Sequence, residues 1–269
     1  MYGMNRVRLL IDDPLPGPVN MARDEALLQA CVPDSAPTLR FYAWKPPTIS
    51  LGYFQDYAEY ERLEPPAGDL AVVRRTTGGG AILHDLEVTY SLVIPLTHPL
   101  VHGKPNDLYR LAHRAIISAI GTPARMLGEG GGRCDESSHR GPFFCFARRH
   151  DLDVVVPDAS GPNGFSKIAG SAQRRTAAAI LQHGSIILDS RFEQQPVATW
   201  KSHNGPTDFT KAVELLMPAF EGALGLRLDP AEWRDEELDA AFRFEGRYAG
   251  RAWTVDRDRA ACSASNAPG

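Results

Sequence analysis

Between Val88 and Ile94 the chain alternates as a two-faced strand does, with Val88, Tyr90, Leu92 and Ile94 on one side and Thr89, Ser91 and Val93 on the other. This strand ends a stretch, Val73 to Pro95, that reads VRRTTGGGAILHDLEVTYSLVIP. An arginine pair, a threonine pair, three glycines and a His-Asp pair stand there between two apolar runs. Arg6–Ile11, Thr38–Trp44, Thr48–Gly52, Asp151–Val156, Phe165–Gln173 and Ala179–Asp189 read as further strands. Pro46 and Pro47 mark a loop, because proline cannot donate to a sheet ladder.

Helical spacing appears elsewhere. After the breaker Pro14-Leu15-Pro16-Gly17-Pro18, Asn20 is the predicted N-cap of a helix over Met21–Val32, with Ala26, Leu27, Ala30 and Cys31 on one side. Leu108, Leu111, Ala112, Ala115, Ile116 and Ala119 give Pro105–Gly121 a helical period, which makes His113 a surface or packing residue. Asp56–Leu63 reads as a short helix, and Phe209–Leu224 and Pro230–Phe244 as two longer ones. The pattern predicts one α/β domain over 1–255, with C-terminal helices from about residue 208 and a polar tail over 256–269.

Composition narrows the function classes. Hydrophobic content of 43% and charged content of 23% suit a globular domain, and the net charge of −4 offers no basic surface for nucleic acid. No run approaches the roughly 18 apolar residues of a membrane span, and the N-terminal residues lack an apolar signal core, so a cytoplasmic, monomeric protein is expected. Cys31, Cys134, Cys145 and Cys262 form no C-x-x-C pair and are expected as free thiols in a reducing compartment.

The triple glycine Gly78-Gly79-Gly80 exceeds what a hairpin needs and fits a backbone lying against a ligand, with Thr77 beside it. No Walker lysine follows it and no G-x-G-x-x-G opens a helix, so nucleotide-binding loops of those kinds are weak readings. Cys145, in the run Phe143-Phe144-Cys145-Phe146, is open between two readings: an inert thiol among phenylalanines, or a nucleophile. An ordinary thiol is only about 3% ionised at pH 7, so the second requires a cation or base nearby. Lys167, expected to share a strand face with Phe165 and Ala169, can bind a carbonyl or phosphate in a pocket, or move a proton if burial lowers its pKa. His183 reads first as a hydrogen-bonded core histidine, and His84-Asp85 as a loop-shaping pair. A metal held by Cys134, His139 and Cys145 has poor spacing and is discounted. The polar run Gly128–Pro142 is a lid or a disordered loop.

Five motifs, in order, match one family: NMARDEALL at Asn20–Leu28, LRFYAWKPPTISLG at Leu39–Gly52, RRTTGGGAILHD at Arg74–Asp85, KIAGSAQRR at Lys167–Arg175 and LQHGSIILD at Leu181–Asp189. Over most of its first 190 residues the chain resembles the lipoate–protein ligase and octanoyltransferase family. The resemblance implies the biotin/lipoyl protein ligase catalytic fold, a mixed, largely antiparallel sheet flanked by helices. Its LipM-like branch carries a cysteine in a C-F dipeptide before the lysine strand, and Cys145-Phe146 fits; Ala147–Asp151 departs from that branch's usual continuation. The branch whose cysteine follows the lysine strand has His183-Gly184-Ser185 in its place here, without a thiol.

The resemblance therefore implies octanoyl transfer from acyl carrier protein through Cys145 to a lysine of a lipoyl domain, with glycine-cleavage H protein as acceptor and no cofactor. Lys167 would act on the thiol or the carbonyl, with backbone N–H groups near Gly170 as an oxyanion site. Arg74, Arg75, Thr77, Gly78, Gly79, Gly80, His84, Gly170, Ser171, Ala172, His183 and Gly184 would shape the substrate site. The alternatives are a lipoate–protein ligase using ATP and Mg²⁺, with Arg74 or Arg75 near phosphates, and a non-catalytic carrier-binding protein.

Overall fold

The strand expected over Val88–Ile94 runs through the middle of an eight-stranded sheet and is buried along its whole length. In this computed structural model, residues 5–130 and 141–257 are described. Cys134, His139, Cys262, most of the polar tail and the centre of the expected lid lie outside them. The chain runs β1 (Arg6–Ile11), α1 (Gly17–Ala30), β2 (Thr38–Tyr42), β3 (Thr48–Leu51), α2 (Tyr57–Tyr60), β4 (Ala71–Arg74), β5 (Ile82–His84), β6 (Glu87–Pro95) and α3 (Pro105–Ile120). It continues with β7 (Arg125–Met126), β8 (Val154–Pro157), β9 (Phe165–Arg175), β10 (Ala179–Ile187), α4 (Phe209–Leu224), β11 (Arg227–Pro230), α5 (Asp235–Ala249) and α6 (Arg251–Thr254).

The large sheet has the order β11-β1-β2-β6-β10-β9-β8-β7, and β4-β3-β5 form a second, three-stranded sheet. Only the β11–β1–β2 end of the large sheet is parallel; the other ladders are antiparallel. Val88, Tyr90, Leu92 and Ile94 pack under α3 and α4 with Leu108, Ala112, Ile116, Leu216 and Phe220. Val93 joins Leu10, Leu27, Leu28 and Leu181 under α1, on the opposite face. The alternation in the sequence is therefore a true division between two helical layers. Among the described residues no helix is long and apolar enough to cross a membrane.

Four expectations change. Helix α1 starts at Gly17, so Asn20 is inside it rather than at its cap. Pro18 sits in the first turn, where a missing N–H needs no partner. Asn20 instead donates to the carbonyls of Leu15 (3.1 Å) and Ala43 (2.9 Å) and accepts from Arg40 (2.8 Å). Second, Pro230 does not open a helix: Arg227–Pro230 pair in parallel with Arg6–Leu9, and α5 begins at Asp235 with three acids in its first turn. Third, a strand not expected from the sequence, β5, stands between the glycine loop and β6: β5 joins β4 in the small sheet, while β6 lies in the large one.

The fourth change matters most for the site. Along β8 and β9, Val155 faces Lys167 but Val154 faces Ala169, leaving Ile168 as an extra residue. Ile168 and Ala169, though consecutive, both enter the same core. Lys167 therefore does not share a face with Ala169. It shares one with Gly170, where a Cβ would lie only 2.3 Å from the lysine Cε.

Candidate active site

Cys145 and Lys167, 22 residues apart, meet at one edge of a cavity that Cys145 helps to line. The thiol arrives on a short segment docked against the glycine loop: Ala81 N–H donates to Phe143 O (2.9 Å), and Cys145 N–H donates to Ala81 O (2.7 Å). Gly80 makes that approach possible, since a Cβ there would lie 2.9 Å from the Cys145 nitrogen. Gly79 has φ +93°, a left-handed conformation that favours glycine.

The bulge in β9 aims the Lys167 side chain away from the core. Its Nζ donates to Asp153 Oδ1 at 2.9 Å and lies 3.5 Å from the Cys145 carbonyl oxygen and 3.6 Å from Sγ. Asp153 is held in turn by the His150 N–H at 2.9 Å. Burial disfavours the lysine's charge, but the Asp153 carboxylate and the neighbouring Cys145 outweigh it and hold the pKa above the ordinary lysine value. Lys167 is thus a fixed cation beside the sulfur, and the proton-shuttling role open to it in the sequence requires the opposite shift.

Met21, Tyr42, Trp44 and Ile82 make the apolar wall of the cavity. Its polar wall is hydrogen-bonded internally except for Glu87 Oε2, which is buried without a partner. His84 Nδ1 bonds Glu87 Oε1 (2.8 Å), and Ser50 Oγ bonds His84 Nε2 (2.8 Å). Ser185 Oγ (2.9 Å) and Thr89 Oγ1 also donate to Glu87 Oε1, and Trp44 Nε1 donates to Thr89 (2.8 Å). The Trp44 and His84 rings stack at 3.8 Å. Burial lowers the His84 pKa against the pull of Glu87. With its donors occupied internally, this wall presents little that an aliphatic chain would leave unpaired.

Further along, His183 Nδ1 bonds Asp24 Oδ2 (3.0 Å) and its Nε2 bonds Thr77 Oγ1 (2.8 Å). Asp24 also takes Tyr42 OH and Arg40 Nη1, each at 2.8 Å. Burial opposes the Asp24 charge, yet His183 and Arg40 hold its pKa below the usual carboxylate range. His183 is therefore both a hydrogen-bonded interior residue and part of the cavity wall.

Of the residues expected at the substrate, Arg75, Gly78, Gly79, His84, Ser171, Ala172, His183 and Gly184 line the cavity together with Cys145. Thr77 stands behind His183. Gly80 stands under Cys145 and Gly170 under Lys167. Arg74 is elsewhere: it bonds the carbonyls of Thr254 (2.8 Å), Gly52 (3.0 Å), Tyr53 (3.2 Å) and Gln55 (2.7 Å), anchoring α6 to the loop after β3. Arg75 is likewise turned to protein, bonding Gly78 O and Gly80 O (both 2.7 Å), Ser50 O (2.9 Å) and Thr77 Oγ1 (3.1 Å). Burial lowers both pKa values to about 10, so both stay charged at neutral pH while they hold the loop carbonyls. Asp85 does not pair with His84; it lies in the bend between β5 and β6 and pairs with Arg191 (2.6 Å), while Glu87 at the start of β6 bonds the His84 ring.

Residues 16–219 match the family described as the lipoyl protein ligase A/B catalytic domain. The chain belongs to that family. It is 34% identical to Octanoyltransferase LipM of Symbiobacterium thermophilum, over 92% of this chain and 97% of that protein. It is 31% identical to Octanoyltransferase LipM of Bacillus subtilis, over 88% and 94%. The fold matches that of lipoate-protein ligase A bound with ATP (TM-score 0.72, 20% identity, 93% of this chain and 98% of that chain). It also matches a structure from the analysis of an archaeal lipoylation system, a bipartite lipoate protein ligase and its E2 lipoyl domain from Thermoplasma acidophilum (TM-score 0.67, 21% identity, 95% and 97%). At those identities the structural matches speak for the fold, which is the mixed sheet expected of lipoyl protein ligases.

Within this family frame, sequence reading missed Asp153, Asp24 and Glu87, and read His113 as a surface or packing residue. Asp24 lies inside a matched motif, NMARDEALL, and Glu87 inside the opening stretch. Asp153 and His113 carried no local signal, since their roles depend on a bulge and on a helix face meeting a strand. His113 is buried, bonding Leu152 O through Nδ1 and Ser171 Oγ (2.7 Å) through Nε2.

Proposed function

We propose that this chain is an octanoyl-[acyl-carrier-protein]:protein N-octanoyltransferase acting through a Cys145 thioester. The observation that carries the reading is the sulfur 3.6 Å from a buried ammonium at the edge of the cavity. A fixed cation there stabilises charge on the sulfur as it attacks.

In the first half-reaction the sulfur attacks the thioester carbonyl of octanoyl-acyl carrier protein. A new C–S bond forms, the bond to the carrier breaks, and the carrier leaves as a thiol with the proton given up by Cys145. Lys167 stabilises charge on the attacking sulfur and stays protonated throughout. The octanoyl chain enters the apolar part of the cavity, where each buried methylene contributes about 0.8 kcal/mol.

In the second half-reaction the amine of a lipoyl-domain lysine displaces Cys145 and forms an amide. Conversion of a thioester to an amide runs downhill, so neither ATP nor a metal is required. Glycine-cleavage H protein is the proposed acceptor, and the reaction takes place in the cytoplasm. The occupation of Arg74 and Arg75 by backbone carbonyls supports this reading over an ATP-dependent ligase.

Intact mass spectrometry after mixing with octanoyl-acyl carrier protein tests it. An octanoyl adduct that hydroxylamine removes, and that Cys145→Ala abolishes, is expected. Full-rate octanoyl transfer by Cys145→Ala, or lipoate-dependent ATP–pyrophosphate exchange, would refute it.

A further inference from the structure

The acyl-enzyme of the proposed reaction holds its thioester beside an amine. Lys167 Nζ lies 3.6 Å from Cys145 Sγ, and the acyl carbon is one bond from that sulfur. Reacting atoms meet from a separation of about 3–3.5 Å, so a neutral Lys167 would have the octanoyl group within reach before any lipoyl-domain lysine arrives. The amide so formed is more stable than the thioester and would end the catalytic cycle. What prevents this is the proton on Nζ, because an ammonium has no lone pair to give.

That proton is held against burial. Lys167 is buried at 2% exposure, and buried lysines without a counter-charge titrate as low as about 5–6. Opposing the burial are Asp153, whose Oδ1 accepts from Nζ at 2.9 Å, and the charge that Cys145 can carry. Acylation removes the second, since a thioester sulfur bears no charge. On α3, Tyr109 and His113 also sense Lys167, but burial pushes the tyrosine up to about 12 and the histidine down to about 4, so neither is charged at pH 7. The Phe146 ring, 5.3 Å from Nζ, adds only a weak attraction. Asp153 is itself buried and is fixed by the His150 N–H at 2.9 Å. Of the two groups that oppose burial, the carboxylate alone remains when the enzyme is loaded.

We propose that Asp153 protects the acyl-enzyme from its own lysine: paired with Nζ, it keeps that nitrogen protonated and so blocks migration of the octanoyl group from Cys145 Sγ to Lys167. Without the carboxylate, the neutral amine would form a C–N bond to the acyl carbon as the C–S bond breaks, and the proton the nitrogen loses would pass to the Cys145 sulfur. Lys167 is thus a latent acylation site, and Asp153 a positioning residue that acts through it. The inference rests on the acyl-transfer reading above and concerns the interval between its two half-reactions.

Hydroxylamine separates the two adducts, since it removes a thioester and leaves an amide. Enzyme loaded from octanoyl-acyl carrier protein, with no acceptor present, is incubated, treated with hydroxylamine and mapped by peptide mass spectrometry. In Asp153→Asn a resistant octanoyl group is expected on Lys167, accumulating more than about tenfold faster than in the native protein and absent from Asp153→Asn/Cys145→Ala. Native-like levels in Asp153→Asn, or the same adduct without Cys145, would overturn the proposal. The native protein gives a second measurement that needs no change at position 153. The neutral fraction of an amine rises about tenfold per pH unit below its pKa, so the resistant adduct on Lys167 should form about ten times faster for each unit between about pH 8 and 10. If Asp153→Asn does not fold or does not load, this profile decides: a flat profile, or no such adduct at the alkaline end, overturns the proposal. Failure of the native protein to form any hydroxylamine-labile adduct would instead remove the transferase reading, and this inference with it.

Discussion

Gly170 is the residue whose replacement most directly tests how Lys167 is held. A Cβ added there would lie 2.3 Å from the lysine Cε, 2.6 Å from Nζ and 3.4 Å from Asp153 Oδ1. To restore an ordinary contact of about 3.4 Å the lysine tip must retreat by roughly 1 Å, since the crowded atoms belong to a side-chain end that can move. If the whole retreat falls on the sulfur side, the 3.6 Å Nζ–Sγ separation grows to about 4.7 Å. At an effective dielectric of about 20 the attraction for an anionic sulfur then drops from about 4.6 to about 3.5 kcal/mol, a loss near 1 kcal/mol or about sixfold in rate. The crowding itself should destabilise the fold by about 1–3 kcal/mol, a few degrees in Tm. The assay is a double-mutant cycle by thermal melting: Gly170→Ala in the native chain and in Lys167→Ala, where the obstructing tip is gone. Acyl-enzyme formation is timed alongside for Gly170→Ala. A coupling of about 1–3 kcal/mol is expected. Equal destabilisation in both backgrounds would mean that Lys167 does not occupy the glycine's space, and the geometry argued for the bulge would be wrong.

Two further outcomes follow from buried groups. His113 titrates at about 4 in the folded protein and at about 6.5 when unfolded, so between those values only the unfolded chain takes the proton and stability falls as the pH is lowered. The share lost between pH 6.5 and 4 is about 3 kcal/mol, and urea unfolding of His113→Gln should show a correspondingly flatter acid dependence; identical slopes would refute the assignment. Arg75→Lys replaces a fork that reaches Ser50, Thr77, Gly78 and Gly80 with a single ammonium, leaving at least two buried acceptors unpaired. A loss of about 2–5 kcal/mol is expected by chemical denaturation, and a change below about 0.5 kcal/mol would show that the arginine does not hold the loop.

The sequence carried the central strand, the α4 helix and most of the strands well, because their periods are long and their two faces differ. It carried the cavity wall through contiguous motifs, and Cys145 and Lys167 as chemistry without a meeting point. What it could not carry was geometry produced by partners far away in the chain. The strand Arg227–Pro230 looked like a helix start because its pairing partner lies more than 200 residues earlier. Lys167 was assigned the wrong neighbours on its strand because one unpaired residue, Ile168, reverses the alternation. His84 was joined to Asp85 by adjacency, whereas the bend after β5 turns Asp85 to Arg191 and brings Glu87 to the ring. Arg74 looked like a ligand for a substrate because a cation beside glycines suggests one; only the fold shows the carbonyls that claim it.

Cys145 reaches the cavity on a segment pinned to the glycine loop through main-chain bonds at Ala81, while Lys167, His183 and, in the polar wall, Ser50, His84, Glu87, Thr89 and Ser185 stand on strands. Main-chain bonds of that kind tolerate most side chains, so the sulfur can be exchanged without dismantling the container it serves. On the proposed reading the architecture is modular: an acyl receptacle with a resident cation, and a reagent attached at its rim. A descendant that lost the sulfur would keep the receptacle, and could take up a pre-activated acyl group supplied by some other chemistry.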